Sequence, residues 1–495
     1  MEEIESWRSL SFPDLAHRIM SKYVSEAEIP AADLADICRR SVLNFRSPDV
    51  TPLVRVGDSW VLELFHGPTF AFKDVALQFL GNLFEYFITR RRDRGEDASL
   101  TILGATSGDT GSAAIYGLRG KKNVDCFIMF PKGRVSQIQE RQMTTVPDSN
   151  IHCLSVKGSF DDCQDIVKAA FADKPFRRVK HLDDVKLGAV NSINWARVLA
   201  QMTYYFWAYF RVTETEGTVG IDGERLHFSV PTGNFGDILA GYYARKMGLP
   251  VGRLLVATNE NDILHRFFTT GRYWRESVMA TVAPSMDICV SSNFERFLFH
   301  LAGDDAVMLK SWMDRFEKTG ERKLTLEGDI LARAKDAFSS ARVPTEENLG
   351  HICQSWERHG YLFCPHSAVG AAAPARAGLP AADTVALATA HPAKFPDAVR
   401  KVVDPLPPAP EAMAALWTLP TRSTPLPNDL SKVEAFIYHT LGKAPAAASA
   451  ALRLDCEKKT KQRRSLILVG VSAMTVAVAA VFMLISKQRH TSSRR

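Results

Sequence analysis

The stretch VLELFHGPTFAFKDVALQFLG, Val61–Gly81, decides the fold, because it joins a short buried strand to a long helix through a loop with a single lysine. Val61–Phe65 is predicted to form the strand, and the apolar residues of Asp74–Arg90 recur with helical periodicity. A Gly-Pro pair punctuates the loop, and Asp74 is predicted to be the N-cap of the helix. The lysine therefore lies at the start of a helix that follows a buried strand.

Lys73 is the residue of chemical interest in this loop, where Phe72 precedes it. Desolvation lowers the pKa of a buried amine, which is the change that Schiff-base chemistry with an aldehyde cofactor requires. The alternative is a structural lysine whose methylene stem packs on the aromatic rings while its amine reaches water. On this loop alone the structural interpretation is the more frequent one, and the other loops decide between the two.

A second strand-to-helix junction carries the loop GATSGDTG at Gly104–Gly111. Ser107, Asp109 and Thr110 lie in it beside glycines, just before a helix of small residues. Hydroxyls and free backbone N–H groups at a helix N-terminus suit an anion such as a substrate carboxylate. An ordinary strand-to-helix turn is the alternative, because glycine and serine are common there.

A third junction carries PTGNFGD, Pro231–Asp237, ahead of the helical segment Ile238–Lys246. Gly233 and Gly236 let backbone N–H groups approach a phosphate, and the helix dipole adds positive potential. The spacing is neither a dinucleotide fingerprint nor a Walker A loop, so a cradle for a single phosphate is predicted. A carboxylate would repel the phosphate, so Asp237 is predicted to cap and orient the loop.

Near the end of the globular part, the predicted strand Thr384–Leu387 leads into ATAHPAKF, Ala388–Phe395. The hydroxyl of Thr389 is suited to a neutral contact with the nitrogen of a heteroaromatic ring. The alternative is a hydroxyl satisfied by the local backbone, which is the commoner fate of a threonine.

Taken together, these segments closely resemble threonine synthase, a pyridoxal-phosphate (PLP) family of fold type II, in its longer fungal and bacterial form. The resemblance spans roughly Asp49–Val399, and its motifs occur in family order. The matching motifs are LELFHGPTFAFKDVALQFLGNLFEYF, ATSGDTGSAA, FPKGRVSQIQERQMTT, NSINWAR, VPTGNFGDILAGYYA, ATNENDIL and TAHPAKF.

The resemblance implies a role for each loop. Lys73 would hold PLP as a Schiff base, and Thr389 would meet the pyridine nitrogen. The residues implied around the PLP phosphate are Gly233, Asn234, Phe235, Gly236 and Asp237. The residues implied to bind the substrate α-carboxylate are Ser107, Gly108, Asp109 and Thr110. A hydroxyl at the ring nitrogen leaves the pyridine largely unprotonated, which the family pairs with elimination and replacement chemistry.

The implied reaction converts O-phospho-L-homoserine and water to L-threonine and phosphate, a step of amino-acid biosynthesis, with Lys73 as the catalytic residue. Holding the leaving phosphate requires cations. The candidates are Lys132, Arg134 and Arg141, with Arg197 and Lys394 behind them. For each of these taken alone, a solvated surface role is the alternative.

The predicted fold class is α/β: two lobes of parallel and mixed sheet flanked by helices, with a C-terminal transmembrane helix. The predicted divisions are a helical segment 1–48, a catalytic domain 49–400, a proline-rich linker and basic segment 401–464, a transmembrane helix 465–485 and a basic tail 486–495. The family normally begins with a further segment around STRG and DGGLF-type motifs, which is absent here. Either the gene model is truncated or the domain has lost part of its N-terminal layer.

Composition limits the remaining options. A chain of 495 residues with 46% hydrophobic residues is globular, and a net charge of +6, concentrated near the C-terminus, indicates no nucleic-acid surface. The eight cysteines show no paired spacing and fit a reducing compartment, and no metal-ligand cluster is apparent. The expected partner is a small-molecule substrate, and a homodimer is possible for this fold type.

Ser465–Ile485, SLILVGVSAMTVAVAAVFMLI, is uncharged, long enough to span a bilayer and flanked by basic residues. It is predicted to be a tail anchor, with a cytosolic catalytic domain held at the mitochondrial outer membrane or the endoplasmic reticulum. The alternative is a buried core helix, which its position beyond a linker disfavours.

Two rival functions remain from the sequence. One is a phospholyase of the same fold, which would release phosphate from a phospho-amino acid and yield a 2-oxo acid; a dehydratase matches the loops less well. The other is a membrane-tethered, non-catalytic protein that keeps the PLP fold. The intact Lys73 and cofactor loops favour catalysis.

Overall fold

A computed structural model describes residues 2–173, 185–215, 226–318 and 323–442. The strands are β1 Leu53–Val56, β2 Ser59–Glu63, β3 Ser99–Ala105, β4 Val124–Pro131, β5 Ile151–Lys157, β6 Val185–Gly188, β7 Leu226–Pro231, β8 Val251–Thr258, β9 Arg272–Trp274, β10 Lys323–Thr325, β11 Phe338–Arg342, β12 Thr384–Ala388 and β13 Thr424–Pro427.

The helices alternate with these strands over most of the described chain. They are α1 Glu2–Glu5, α2 Phe12–Met20, α3 Ala31–Arg40, α4 Lys73–Arg92, α5 Asp109–Leu118, α6 Gln137–Thr144, α7 Phe160–Ala172, α8 Trp195–Thr215, α9 Gly236–Lys246, α10 Ile263–Thr270, α11 Phe294–Leu301, α12 Ala306–Lys318, α13 Gly328–Ala337, α14 Thr345–His359, α15 Pro365–Ala377, α16 Pro396–Val399, α17 Glu411–Ala414 and α18 Leu430–Thr440.

Two main sheets organise the fold. The larger has the order β1-β2-β12-β7-β8-β11 and is parallel except for the β1–β2 hairpin. The smaller has the order β13-β5-β4-β3-β6 and is parallel throughout. The predicted α/β class with parallel and mixed sheets is confirmed. In both sheets the loops that follow the parallel strands lie at the carboxyl edge, where α/β proteins bind ligands.

The fold prediction also contained a transmembrane helix, and this part is corrected. No helix in the described ranges is long and apolar enough to cross a membrane. The two long helices α4 and α8 carry arginines and acidic residues among their apolar ones. The predicted segment Ser465–Ile485 itself lies outside the described residues, as do the predicted basic segment after 442 and the tail 486–495.

The N-terminal helices pack against α8, which is buried nearly all round. Trp7 contacts the ring of Phe206, and Phe12 contacts the ring of Trp207. Ser11 caps α2 by accepting the N–H of Asp14. The residues before Asp49 therefore form part of the hydrophobic core around α8.

Helices α4 and α5 cross at direct backbone contact. A side chain on Gly81 would overlap the carbonyl oxygen of Gly117, and one on Gly117 would overlap that of Leu77. Glycine at both positions permits this approach. Because Lys73 begins α4 and Asp109 begins α5, the crossing fixes the distance between the ends that carry these two residues.

The proline-rich segment after Val399 is folded within the main compact unit as far as Asn428. Strand β13 pairs with β5 at the edge of the smaller sheet, where proline is tolerated. Met413 and Leu416 are buried in a cluster with Phe70. A second unit includes α18, capped by Asp429 through the N–H of Ser431. The predicted boundaries at 48, 400 and 464 stay a prediction.

Candidate active site

Three neighbouring strands of the larger sheet end in the loops that the sequence singled out. Strands β2, β12 and β7 are adjacent and parallel, so the Lys73 loop, Thr389 and PTGNFGD emerge at one edge. The N–H of Phe72 donates to the carbonyl of Thr389 at 2.8 Å, and the N–H of His391 donates to the carbonyl of Phe70 at 3.1 Å. The lysine loop and the Thr389 segment are therefore joined by backbone hydrogen bonds.

Lys73 is buried at this edge, with 12% of its side chain exposed. Its Nζ lies 4.5 Å from the centre of the Phe72 ring and 3.7 Å from Oδ2 of Asp109. Burial lowers the pKa of Lys73, although the negative charge of Asp109 opposes this. The amine therefore has the desolvated surroundings that the sequence predicted.

Asp74 does not cap α4, contrary to the prediction, because the helix begins at Lys73 and its N-cap position is Phe72. Its buried carboxylate instead accepts the N–H of Thr69 at 2.8 Å and the hydroxyl of Thr69 at 2.6 Å. Phe70 has a left-handed backbone (φ 59°), which turns the loop back so that Thr69 faces the first turn of α4. Asp74 thus fixes the shape of the lysine loop.

Asp109 is the charged centre of the site. Its Oδ1 accepts from Nζ of Lys394 at 2.7 Å and from Nε2 of Gln139 at 2.8 Å. Burial alone would raise the pKa of Asp109, but the charges of Lys394 and Lys73 and the hydrogen bonds from Lys394 and Gln139 outweigh burial and hold it below its usual range. Asp109 is therefore an anion flanked by two lysines.

The rest of this second loop leaves hydroxyls accessible for a substrate. Thr106 accepts the N–H of Gly108 at 3.0 Å and the N–H of Gly111 at 2.8 Å, which shapes the turn into α5. Ser107 is exposed and Thr110 is half-buried. A side chain on Gly108 would overlap that of Gln139, so glycine is required there. This geometry fits a carboxylate at the N-terminus of α5.

The loop PTGNFGD has the form of a phosphate cradle. Phe235 has a left-handed backbone (φ 60°), and its side chain is buried in an aromatic cluster, so it bends the chain into α9. A Cβ on Gly233 would lie 3.3 Å from the carbonyl oxygen of Ser285, and one on Gly236 would lie 3.3 Å from Nδ2 of Asn293. The first N–H groups of α9 have no partner within the helix. The loop therefore fits a phosphate group.

Two residues that the sequence did not indicate hold this loop in place. Ser291 donates its hydroxyl to the carbonyl of Gly233 at 2.8 Å. Asn293 donates its backbone N–H, at 3.1 Å, and its side-chain amide, at 3.0 Å, to the carbonyl of Asn234. The polar run VSSN before α11 was the available signal.

Asp237 is placed differently from the prediction, since its side chain does not cap the loop. Its Oδ1 accepts the hydroxyls of Tyr204 at 2.6 Å and of Tyr205 at 2.8 Å, both from α8. Burial raises the pKa of Asp237 to about 6. The carboxylate faces α8 because two strong donors are there, and it joins α9 to α8.

Thr389 is buried at the end of β12, and its N–H donates to the hydroxyl of Ser367 at 2.9 Å. The neighbouring His366 accepts the N–H of Ser285 at its Nε2, at 3.0 Å. Burial lowers the pKa of His366 to about 3, so its ring is neutral. The sequence analysis did not identify His366 or Ser367, which both lie at the start of α15.

The predicted phosphate-binding cations occupy different environments. Lys132 and Arg134 are exposed and follow β4, at the same edge as the Asp109 loop. Arg141 donates to the carbonyl of Leu416 at 2.8 Å and so holds the proline-rich segment. Arg197 is buried and donates to the carbonyl of Val190 at 3.2 Å. Only Lys132 and Arg134, of these four, are exposed.

A buried lysine at a helix start, a glycine cradle for one phosphate and a threonine at a neighbouring strand end define a PLP-dependent enzyme of fold type II. The family model "Pyridoxal-phosphate dependent enzyme" matches residues 45–313. The models "Threonine synthase N terminus" and "Threonine synthase, C-terminal" match residues 1–42 and 367–437. The buried lysine loop and the glycine cradle described above fit such a cofactor.

Known proteins of high similarity give the same result. Threonine synthase of Saccharomyces cerevisiae is 52% identical over 426 residues, which is 80% of each chain. The crystal structure of threonine synthase from yeast superposes with a TM-score of 0.82 at 47% identity, covering 89% of this chain and 90% of that one. A PLP-bound threonine synthase from Brucella melitensis gives 0.82 at 42% identity with the same coverage.

This chain belongs to the threonine synthase family, and it is a PLP-dependent lyase of amino-acid biosynthesis. The predicted function and cofactor are therefore confirmed, and a small-molecule substrate follows from them. The predicted membrane partnership through a C-terminal helix is not supported, for the reason given for the fold.

Proposed function

We propose that the residues assembled around Lys73 convert O-phospho-L-homoserine and water to L-threonine and phosphate, with Lys73 as the lysine that binds PLP. The observation that carries the assignment is the buried amine of Lys73, 3.7 Å from Asp109 at the edge where the phosphate cradle and Thr389 also emerge. Bound PLP supplies an electron sink for the carbon next to the substrate amine.

The proposed roles follow from position. The cradle 233–236 binds the PLP phosphate through backbone N–H groups, and the hydroxyl of Thr389 contacts the ring nitrogen. The hydroxyls of Ser107 and Thr110, with the N-terminus of α5, bind the substrate α-carboxylate. Lys132 and Arg134, exposed at the neighbouring strand end, attract the leaving phosphate.

Lys73 would also move protons of the bound substrate. Because burial favours its uncharged form, the amine is able to accept the proton from the substrate α carbon. It would also take a proton from the β carbon as phosphate leaves from the γ carbon. The γ carbon then takes up a proton, water adds at the β carbon, and the α carbon is reprotonated. Thr69, Phe70 and Ala71 of the lysine loop are buried, which limits the access of bulk water to the amine.

The test uses the full chain and its Lys73→Ala variant. Lys401→Ala is the control, because it makes the same substitution at an exposed lysine. We expect a visible Schiff-base absorption band, with threonine and phosphate formed in equal amounts from O-phospho-L-homoserine. Lys73→Ala loses the band and at least about a thousandfold in rate, because the nucleophile of the PLP linkage is gone. Phosphate with 2-oxobutyrate in place of threonine would assign the chain to the phospholyases instead.

We also propose a cytosolic location for the catalytic part and a homodimer. The cysteines of the described residues are free thiols, which a reducing compartment maintains. The homodimer is proposed because proteins of this fold type often form dimers. Fractionation of cells and light scattering of the purified chain test the two proposals separately.

A further inference from the structure

Lys394 is a charged residue at full burial, with 0% of its side chain exposed. Its Nζ donates to Oδ1 of Asp109 at 2.7 Å and to the carbonyl of Thr69 at 2.7 Å. Burying an ammonium group is costly unless a carboxylate and further acceptors satisfy it. Lys394 has both kinds of partner. Its amine therefore binds groups of this chain and does not bind the departing phosphate.

The two oxygens of Asp109 have different partners. Oδ1 accepts from Lys394 and from Gln139 at 2.8 Å, whereas Oδ2 faces Nζ of Lys73 at the longer distance of 3.7 Å. Lys394 and Gln139 thus hold the carboxylate from one side. The ammonium group of Lys394 lies 2.7 Å from the Asp109 carboxylate and matches its charge, so Lys73 is not required to supply a second positive charge.

We propose that Lys394 is a positioning residue that neutralises and holds Asp109, and thereby leaves Lys73 as an uncharged, nucleophilic amine. The inference rests on the proposed assignment of PLP to Lys73. Without Lys394, the buried carboxylate would turn to Lys73 as its remaining cation, and Lys73 would keep its proton and lose its nucleophilic lone pair.

The other titratable groups around Lys73 do not replace this pair. Burial raises the pKa of Asp74 and of Asp237 to about 6, and both carboxylates are already bonded to hydroxyls. His366 is neutral, and Arg197 adds one positive charge. The charged and titratable groups acting on Lys73 are Asp109, Lys394, Arg197, Asp74, Asp237 and His366. Of these groups, the ion pair between Asp109 and Lys394 is the interaction that a substitution can remove.

The test measures how fast Lys73 reacts with free PLP, without any substrate. Full-length chain is freed of PLP with hydroxylamine, mixed with PLP across a range of pH, and followed by the visible band. The uncharged amine attacks the aldehyde carbon and the aldehyde oxygen leaves as water, so the rate reports the uncharged fraction. Lys394→Met is expected to slow the reaction about tenfold at pH 7, and the rate is expected to recover at high pH.

A double-mutant cycle shows whether Lys394 acts through Asp109. In the Asp109→Asn background, Lys394→Met is expected to slow the reaction less than in the unmodified chain, since only the direct repulsion between Lys394 and Lys73 is then lost. An equal slowing in both backgrounds, slowing at every pH, or no slowing would overturn the proposal. Lys394→Gln serves if Lys394→Met does not fold, and Lys401→Met is the exposed control. If the proposed function itself is wrong, even the unmodified chain forms no Schiff-base band with PLP. That result is distinct from each of the outcomes that would overturn the role of Lys394.

Discussion

Two buried aspartates occupy similar places in the two glycine loops, and their pKa values are shifted in opposite directions. Asp109 begins α5 after β3, and Asp237 is the second residue of α9 after β7. Asp109 is bonded to a lysine and an amide, and its pKa is below the usual range. Asp237 is bonded to two tyrosine hydroxyls, and burial raises its pKa to about 6. The difference lies in their partners, because both side chains are buried.

This difference shows that a loop pattern does not determine the pKa of the acid within it. Lysine partners keep Asp109 ionised, and in that state it acts on the reactive amine of Lys73. Hydroxyl partners do not offset the burial of Asp237, and it serves as a joint between α8 and α9. The partners come from segments far away in the chain, so the fold assigns the two roles.

The largest effect is expected where removing a charge leaves another one buried and unpaired. Asp109→Asn leaves the wholly buried Lys394 without its carboxylate, which costs about 3–5 kcal/mol of unfolding free energy. Unfolding in urea at pH 7 measures it. The matched change Asp237→Asn leaves no unpaired cation and is not expected to destabilise the chain at this pH. Equal losses in the two variants would abolish the distinction between the aspartates.

The second effect is a pH dependence that Asp237 produces and Asp109 does not. The folded chain keeps the proton of this carboxyl up to about pH 6, whereas in the unfolded chain its pKa is 3.8. The folded state therefore binds the extra proton in this window, and the unfolding free energy falls as the pH rises through it. The loss is about 3 kcal/mol between pH 3 and pH 7.

Asp237→Asn provides the measurement, because it lacks the titrating carboxyl. The difference in unfolding free energy between this variant and the unmodified chain is expected to grow in favour of the variant as the pH rises from 4 to 6. A difference that does not change with pH would show that Asp237 titrates normally, and burial would then not distinguish it from an exposed acid.

Local signals were enough to predict the loops of the site. Lys73 beside aromatic residues, the glycines of GATSGDTG and PTGNFGD, and a threonine after a strand are all short-range patterns. The resemblance to the threonine synthase family then indicated that these loops form one site, and parallel strands bring the loops of one sheet to one edge. The same reasoning predicted the α/β class.

Partners from distant segments were beyond such reasoning. Lys394 and Gln139 reach Asp109 from other segments of the chain, and Tyr204 and Tyr205 reach Asp237 from α8. Even Asp74 was misassigned as a cap, because the left-handed turn at Phe70 redirects its carboxylate to Thr69. Which acid meets which donor depends on tertiary packing and not on spacing.

The smallest effect tests the hydroxyls that define the environment of Asp237. Tyr205→Phe removes one of its two donors while Tyr204 remains at 2.6 Å, so the expected loss at neutral pH is about 1–2 kcal/mol of unfolding free energy. The pH window of Asp237 is also expected to move upward, since the lost hydrogen bond stabilised the ionised form. Unfolding in urea at several pH values measures both.

Tyr209→Phe, which changes a buried tyrosine of the same helix, is the control and is expected to leave the pH window of Asp237 unchanged. A window that stays fixed in Tyr205→Phe would mean that burial alone sets the state of Asp237, and the contrast with Asp109 would then rest on the lysines only.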